Sequence, residues 1–514
     1  MLNKLRAFAH HTKIRLGLAY MAGACTSLAF APYGLWPIYI ITTAFALHQS
    51  SDLSAKDGAK YWLSFGFGCF SVGMSWIHVS MSTYGGIPLI ASVALMALLA
   101  FYLAIYPALT GYLLQKIAPT TSIIRNIILF PALWTLTEWL RGWVLTGLPW
   151  LWAGYTQTEG PIKPLASVIG ALGLSFVIAL VAGSLALCLQ KRWRPAVIIL
   201  SLLGLVNYFV PMLSSIESKG ETVRVVLVQG NIPQSMKWEP GVLWPTMDKY
   251  MDLSRPQLDA DIIIWPEAAI PAPEYMVSTF LDNANKVANI NNSAIITGII
   301  SHQQDSFYNS LIVLGNHHSK HQSQADYIEG GSNEFKKHHL LPIGEFVPME
   351  SLLRPLAPLF NLPMSSFDRG AYQQPNLNAL GYQIAPAICY EIAFPEQLRA
   401  NVNEATDLLL TVSNDAWFGS SNGPLQHMEI AQMRSIELGR PLVRATNNGV
   451  TAVVDELGNI THKLPQFEVG VLVADIPLVK GQTLFSTWGQ WPIIILSALL
   501  LALVITRQRW FSVR

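Results

Sequence analysis

The apolar positions along the chain fall into two regimes. From 14 to 213 they form long uncharged runs, and from 214 to 485 they form short runs broken by polar and turn residues. A last run, "WPIIILSALLLALVIT" (491–506), returns to the first pattern ahead of a basic tail. A helix needs about 20 mostly apolar residues to cross a bilayer. Runs near 14–31, 34–49, 61–80, 87–114, 122–140, 165–189, 195–213 and 491–506 therefore predict a multi-pass α-helical membrane domain of eight spans. Only "APYGLW" joins the first two runs, which allows a tight hairpin there, and the last run is short.

The middle regime has a different grammar. "TVRVVLVQGNI" (222–232), "ADIIIWPE" (260–267), "SAIITGII" (293–300), "NSLIVLG" (309–315), "GYQIAPAICYEI" (381–392) and "TDLLLTVSND" (406–415) are apolar, largely β-branched runs with polar or turn residues at their ends. They predict strands. The apolar stretches are continuous rather than alternating, which implies a sheet buried on both faces. Amphipathic stretches at 242–256, 276–290, 395–404 and 424–440 predict intervening helices, and so a layered α/β domain. The polar, histidine-rich stretch 316–338 reads as a loop. The expected organisation is a membrane domain of seven spans over 1–213, a soluble domain over 214–485, and a final span with its tail over 486–514.

Composition agrees: 51% of residues are hydrophobic and 13% charged, against about 25% charged in soluble domains. A net charge of +1 gives no basic field of the kind nucleic acid requires. Lys and Arg crowd the N-terminus (Lys4, Arg6, Lys13, Arg15), the second, fourth and sixth connections (Lys56, Lys60; Lys116, Arg125; Lys191, Arg192, Arg194) and the C-terminus (Arg507, Arg509, Arg514). The alternate connections hold only Arg141 and Lys163. The charge bias of short loops then puts both termini in the cytoplasm and 214–485 on the far side. "MAGAC" (21–25) faintly resembles a lipoprotein cleavage site. It lacks the leucine three residues before the cysteine, and the apolar run continues beyond, so an uncleaved anchor is expected.

Three of the four cysteines, Cys25, Cys69 and Cys188, fall inside predicted spans, where a small thiol is ordinary packing. Cys389 is alone in the soluble domain, in a compartment that favours disulfides. A lone thiol there is either buried or used. Glu267 closes a strand in "IIIWPEAAIP", at a sheet edge where α/β ligands gather, although it reads equally as a solvated loop residue. Lys337, in "NEFKKHHLLPIGEFVP" (333–348), reads by itself as part of a basic surface loop. Taken together the three gain meaning. A cysteine attacks carbonyls as thiolate, a glutamate can take its proton and return it to a leaving group, and a lysine can stabilise a tetrahedral oxyanion. "HHSKH" (317–321) has no cysteine or carboxylate set at ligand spacing, so no metal is expected.

Glu267 in "WPE", Lys337 in "KxHLLPxGE" and Cys389 in "CYE" resemble the Glu-Lys-Cys triad of the nitrilase superfamily. "TEWLRGWVLTGLPWLWAGY" (137–155), "VQGNIPQSMKW" (228–238), "PIGEFVP" (342–348), "SNDAWFG" (413–419) and "RATNNGVTAV" (444–453) resemble more closely one branch of it, the apolipoprotein N-acyltransferases. That resemblance spans essentially the whole chain. It implies a bacterial inner-membrane enzyme with eight spans and a periplasmic α-β-β-α nitrilase-like domain. It further implies that Cys389 takes an acyl chain from a phospholipid, typically phosphatidylethanolamine, and passes it to the α-amine of an S-diacylglyceryl-cysteine on an apolipoprotein. The donor ester already carries an activated acyl group, so no cofactor is implied. The resemblance makes Glu267 the general base and acid, Lys337 the oxyanion stabiliser and Cys389 the nucleophile. Glu345 and Glu391 become supporting carboxylates, and Tyr390 the donor of an oxyanion-hole N–H. Trp238 lies on an arm over the site, and Trp417 in a loop that admits lipid. Lys336 and Lys337 are adjacent, and the register from Gly344-Glu345 selects Lys337. A membrane-anchored amidase with the same triad remains an alternative reading of these residues.

Overall fold

The structure, a computed structural model, describes residues 12–316, 327–342, 344–346 and 367–512. The predicted metal-free stretch 317–321 lies outside them. The described residues divide into two compact units. One is built from residues up to His78, Pro88–Ser214 and residues from Thr487 onward; the other is Val79–Ile87 with Ser215–Ser486.

The first unit is helical. Helices Thr12–Cys25, Trp36–Gln49, Ala55–Gly73, Leu89–Ile117, Phe130–Arg141, Ala166–Leu189, Arg194–Phe209 and Trp491–Ser512 fall on the eight predicted runs. Among the described residues only three stretches, Leu89–Ile117, Lys163–Leu189 and Arg194–Leu213, are long and apolar enough to cross a membrane, with Trp491–Arg507 a shorter apolar helix. The predicted count of eight is therefore three by length and composition. The difference has a physical origin. An apolar run in sequence marks neither the length of the helix nor the charges at its start. Thr12–Cys25 and Trp36–Gln49 have 14 residues each, about 21 Å at 1.5 Å per residue, and Ala55–Gly73 has 19 but opens with Lys56, Asp57 and Lys60. The hydrocarbon core is about 30 Å thick.

The buried Glu138 and Arg141 of this unit are tied to backbone. Glu138 and Arg141 lie one turn apart with Nη2 and Oε1 at 3.8 Å. Arg141 Nη1 donates to the carbonyls of Leu148 and Trp150, and Glu138 Oε1 accepts the Ala153 N–H at 3.1 Å. The pair thus pins the chain after the helix against the helix end. Among the tryptophans near helix ends, Trp143 and Trp488 are exposed, but Trp150 and Trp152 are buried. Trp152 Nε1 donates to the Glu138 carbonyl, which accounts for its burial.

The second unit holds twelve strands: β1 (Glu217–Gln229), β2 (Ile262–Ile264), β3 (Ala294–Gln303), β4 (Ser306–Leu314), β5 (Glu334–Lys336), β6 (Leu377–Ala379), β7 (Tyr382–Ile388), β8 (Leu408–Ser413), β9 (Leu442–Thr446), β10 (Ala452–Val454), β11 (Ile460–Lys463) and β12 (Gly470–Lys480). They form two six-stranded sheets, in the orders β12-β1-β2-β3-β4-β5 and β11-β10-β9-β8-β7-β6. In each sheet three consecutive strands are parallel, β1-β2-β3 and β7-β8-β9. β1 and β12 run antiparallel from Glu217 opposite Lys480 to Gln229 opposite Gly470. β5 lies inside the stretch read as a loop. Three residues with two charges, "EFK", carry no strand pattern of their own.

The strand period of two sets the layers. Val225, Leu227, Ile262, Ile264 and Ile296 meet Ile384, Ile388, Leu408, Leu410 and Val443 in one core between the sheets. Their neighbours Val226, Val228, Ile263 and Ile295 point the other way, onto Met247, Tyr250, Leu281 and Ala284. Those residues belong to helices α1 (Leu243–Ser254) and α2 (Ser278–Ile290). Helices α3 (Pro395–Asn401) and α4 (Gly423–Leu438) pack on the second sheet. The result is the α-β-β-α arrangement, with both sheets buried on both faces along their central strands.

Candidate active site

The site forms where the parallel strands of the two sheets end at their carboxyl sides, the usual place for a ligand in such sheets. β2 ends at Trp265, whose N–H still bonds Ile296 O at 2.8 Å. Pro266 then removes the next donor and breaks the ladder. Ala268 turns with φ 45°, and a Cβ at Gly298 would stand 2.4 Å from its nitrogen. Only glycine on β3 lets that turn lie against it. The turn delivers Glu267, 7% exposed, into the seam between the sheets.

Lys337 follows β5. Its N–H continues the ladder to Asn309 O at 2.8 Å. Its side chain is 1% exposed, with Nζ 3.3 Å from Glu267 Oε1 and 2.9 Å from Glu345 Oε1. Lys336 points elsewhere, over the Tyr308 ring at 4.4 Å and toward Glu334 at 3.7 Å. The two neighbours diverge, as adjacent residues of an extended chain must.

Cys389 follows β7 with φ 54°, in the left-handed region that costs a residue with a Cβ energy. Ser413 Oγ, at the end of β8, is 3.4 Å from Cys389 Sγ. The next residue, Asn414, donates its N–H to Glu267 Oε2 at 2.9 Å. The end of β8 thus holds the thiol and the carboxylate side by side.

Both supporting carboxylates are engaged. Glu345 accepts from Lys337, from Asn309 Nδ2 at 2.9 Å and from the Leu341 N–H at 2.7 Å. Glu391 accepts the N–H groups of His338, His339 and Ile388 at 2.7, 3.0 and 2.8 Å, and Gln397 Nε2 at 2.7 Å. It therefore fixes the strand end before Cys389 to the chain after Lys337. Tyr390 is buried, its ring edge-on to Phe394 at 5.0 Å. Trp238 is 37% exposed, whereas its neighbour Lys237 is buried, with Nζ 3.1 Å from the Glu267 carbonyl oxygen. Trp417 accepts at its carbonyl from Ser80 Oγ at 2.8 Å, and its ring meets that of Tyr84 at 5.8 Å.

The electrostatics follow from this packing. Burial pushes the Glu267 carboxyl up, but the Lys337 ammonium, Asn309 and the Asn414 N–H outweigh it and hold the group below the usual carboxylate range. Burial lowers Lys337, yet Glu345 and Glu267 raise it further than burial lowers it, so it stays cationic. Burial and the Glu267 charge push the Cys389 thiol up, against a smaller pull from Lys337. At rest the set is a carboxylate, an ammonium and a neutral thiol. Lys237 is lowered to about 8 by burial, with Glu267 and Cys389 opposing.

Sequence reasoning missed Asn309, Asn414 and Lys237. Asn309 Nδ2 donates to both Glu267 Oε1 and Glu345 Oε1, each at 2.9 Å. A polar residue within the apolar run "NSLIVLG" was its only signal. Lys237 gave none beyond adjacency to Trp238. Among the described residues no group of three His, Cys, Asp or Glu side chains is placed to hold a metal ion.

Comparison with known proteins covers nearly all of the chain. Residues 22–184 match the apolipoprotein N-acyltransferase N-terminal domain, and residues 224–484 match the carbon-nitrogen hydrolase family. The chain is 68% identical to an apolipoprotein N-acyltransferase of Shewanella oneidensis, over 99% of this chain and 100% of that one. It is 48% identical to the Vibrio parahaemolyticus protein of the same description over 96% of this chain and 97% of that one. It is 40% identical to that of Pseudomonas putida, over 94% and 95%.

Proposed function

We propose, for a chain that belongs to the apolipoprotein N-acyltransferase family, that Glu267, Lys337 and Cys389 carry the family's transfer. The protein is an acyltransferase. It moves a fatty acyl chain from a membrane phospholipid, through a cysteine thioester, to the N-terminal amine of an S-diacylglyceryl-cysteine, completing a triacylated lipoprotein. The single observation that best supports the assignment is the cluster itself. An anionic Glu267, a cationic Lys337 and the Cys389 thiol meet through Asn414 and Ser413 at the ends of buried strands.

The chemistry then runs in two halves. Glu267 takes the thiol proton as Sγ attacks the donor ester carbonyl. The Lys337 ammonium and the Tyr390 N–H face the developing oxyanion. The tetrahedral species collapses to a thioester, and Glu267 returns its proton to the departing lysophospholipid alkoxide. In the second half the neutral α-amine attacks the thioester, Glu267 removes its proton, and Cys389 leaves and is reprotonated. The order is ping-pong. Glu345 keeps Lys337 charged and in place, and Glu391 holds the chain on either side of the nucleophile. Trp238, on its exposed turn, and Trp417 contact lipid.

The proposal extends to topology and donor. The Lys and Arg distribution supports a multi-pass inner-membrane protein with cytoplasmic termini and a periplasmic catalytic domain over 214–485, between membrane segments over 1–213 and 486–514. Phosphatidylethanolamine is the proposed acyl donor. The deciding experiment incubates the protein with phospholipid bearing a labelled acyl chain and measures intact mass. Wild type should gain one acyl group that maps to Cys389 and is released by hydroxylamine. Folded protein that never acquires it refutes the mechanism. A thioester that water consumes as fast as a diacylated lipopeptide does would indicate an amidase-like hydrolase instead.

A further inference from the structure

Beneath Cys389 lies a buried polar cluster that the transfer chemistry leaves unused. Asp415, His427 and Arg444 are each 1% exposed or less. Asp415 stands at a fork. Its Oδ1 accepts from Ser413 Oγ at 2.6 Å, and Ser413 in turn touches the Cys389 sulfur. The same Oδ1 lies 3.2 Å from His427 Nδ1, while Arg444 Nη2 donates to Asp415 Oδ2 at 2.9 Å. The second branch ends at the nucleophile's backbone: His427 Nε2 is 3.0 Å from the Cys389 carbonyl oxygen. The fit is close, since a Cβ at Gly449 would stand 2.2 Å from Asp415 Oδ2.

The hydrogen positions follow from the partners. A carbonyl oxygen only accepts, so Nε2 carries the proton. Arg444 Nη2 lies 3.0 Å from His427 Nδ1 and can only donate. Asp415 Oδ1, which only accepts, faces the same Nδ1 at 3.2 Å, so the proton that the partners fix is the one on Nε2, which donates to the Cys389 carbonyl. Burial and the Arg444 charge hold His427 below its ordinary range, against the raising pull of Asp415.

The consequence lies in the peptide plane. The Cys389–Tyr390 bond is trans, and in a trans peptide the C=O and the following N–H point in opposite directions. Fixing the Cys389 carbonyl on His427 therefore fixes the Tyr390 N–H on the other side of the plane. Cys389 is also in the left-handed region, where a residue with a Cβ is held only by surrounding contacts. We infer that His427, oriented by Asp415 and Arg444, is a positioning residue that locks the Cys389–Tyr390 peptide so that the Tyr390 N–H faces the oxyanion of the acyl transfer. The inference rests on Cys389 being the acylated residue.

The test separates oxyanion stabilisation from nucleophile reactivity. Alkylation of a thiolate by iodoacetamide passes through no oxyanion, whereas acylation does. Full-length protein in phospholipid-containing detergent is assayed both ways, each followed by mass at the Cys389 peptide. His427→Gln places an amide donor near the Nε2 position, and His427→Asn does not reach it. The expected result is single-turnover acylation slowed about 100-fold in His427→Asn, the effect of losing one oxyanion donor, with alkylation unchanged. His427→Gln should recover most of the acylation rate. Three results overturn the inference: acylation and alkylation falling together, His427→Asn acylating like wild type, or neither variant accumulating as folded protein, which would make the cluster structural only. If wild type itself forms no thioester at Cys389, the failure belongs to the proposed function and is seen before any variant is compared.

Discussion

Two buried sites, one in each unit, hold charge in different ways. In the helical unit, Arg141 meets two backbone carbonyls and one carboxylate. In the sheet unit, Lys337 faces two carboxylates, and Glu267 faces Lys337, Asn309 and a backbone N–H. A charge bonded to backbone holds the chain and has little left to do. A charge bonded to other titratable groups can trade a proton with them, because their energies shift together. Burial of charge is thus no sign of function by itself. The kind of partner distinguishes a fastening from a reaction centre.

Substitutions can break this contrast, beginning with the largest effect. Cys389→Ala should form no acyl adduct at all, read by intact mass. Glu267→Gln keeps the shape and removes the base, and single-turnover acylation should fall by about 10²–10⁴-fold. Lys337→Met should slow acylation by about 10²–10³-fold. It should also lower unfolding stability by roughly 3 kcal/mol, because it strands the buried Glu267 carboxylate. Arg141→Leu makes the opposite prediction. Thermal stability in detergent should drop, by roughly 3 kcal/mol, while acylation per folded molecule stays as in wild type. A folded Arg141→Leu protein that no longer acylates would erase the distinction between the units.

The smallest effect is a pH dependence. His427 is held below its ordinary value of 6.5, so between the two values the unfolded chain binds the extra proton and the folded one does not. Stability therefore rises with pH through this window and is lost as pH falls below 6.5 toward the folded value. The slope is at most about 1.4 kcal/mol per pH unit. Melting curves of wild type and His427→Gln at pH 5 to 7 should differ in slope, the variant being flatter. Equal slopes would mean His427 takes its proton without cost.

What the sequence revealed follows the same physics. Strands buried on both faces announced themselves, since "IIIW" and "LLLTVS" tolerate little polarity. β11 is exposed at every position, and β12 alternates and contains Pro477, so neither showed a continuous apolar run. The spans were overcounted because an apolar run shows neither how long its helix is nor which charges open it: Trp36–Gln49 has 14 residues, and Ala55–Gly73 opens with Lys56, Asp57 and Lys60. Glu267 and Cys389 were legible because each follows a strand that ends abruptly. Asn414 and His427 were not. Their partners, Glu267 and the Cys389 carbonyl, lie far away in the chain, and only the stacking of the two sheets and α4 brings them together.

The pairing of β1 with β12 has one more consequence. The first and last strands of the sheet unit lie side by side, and Ser215 Oγ bonds Gln482 O just beyond them. The stretch Ser215–Ser486 thus begins and ends at neighbouring points. To the helices before and after, a folded catalytic domain is therefore equivalent to a short hairpin, and the loop entropy of its interior sequence does not burden their assembly. Such a domain can be enlarged at its loops without lengthening the path between the helices, provided the two ends remain within a few residues of each other and the Val79–Ile87 segment keeps its contact with Trp417.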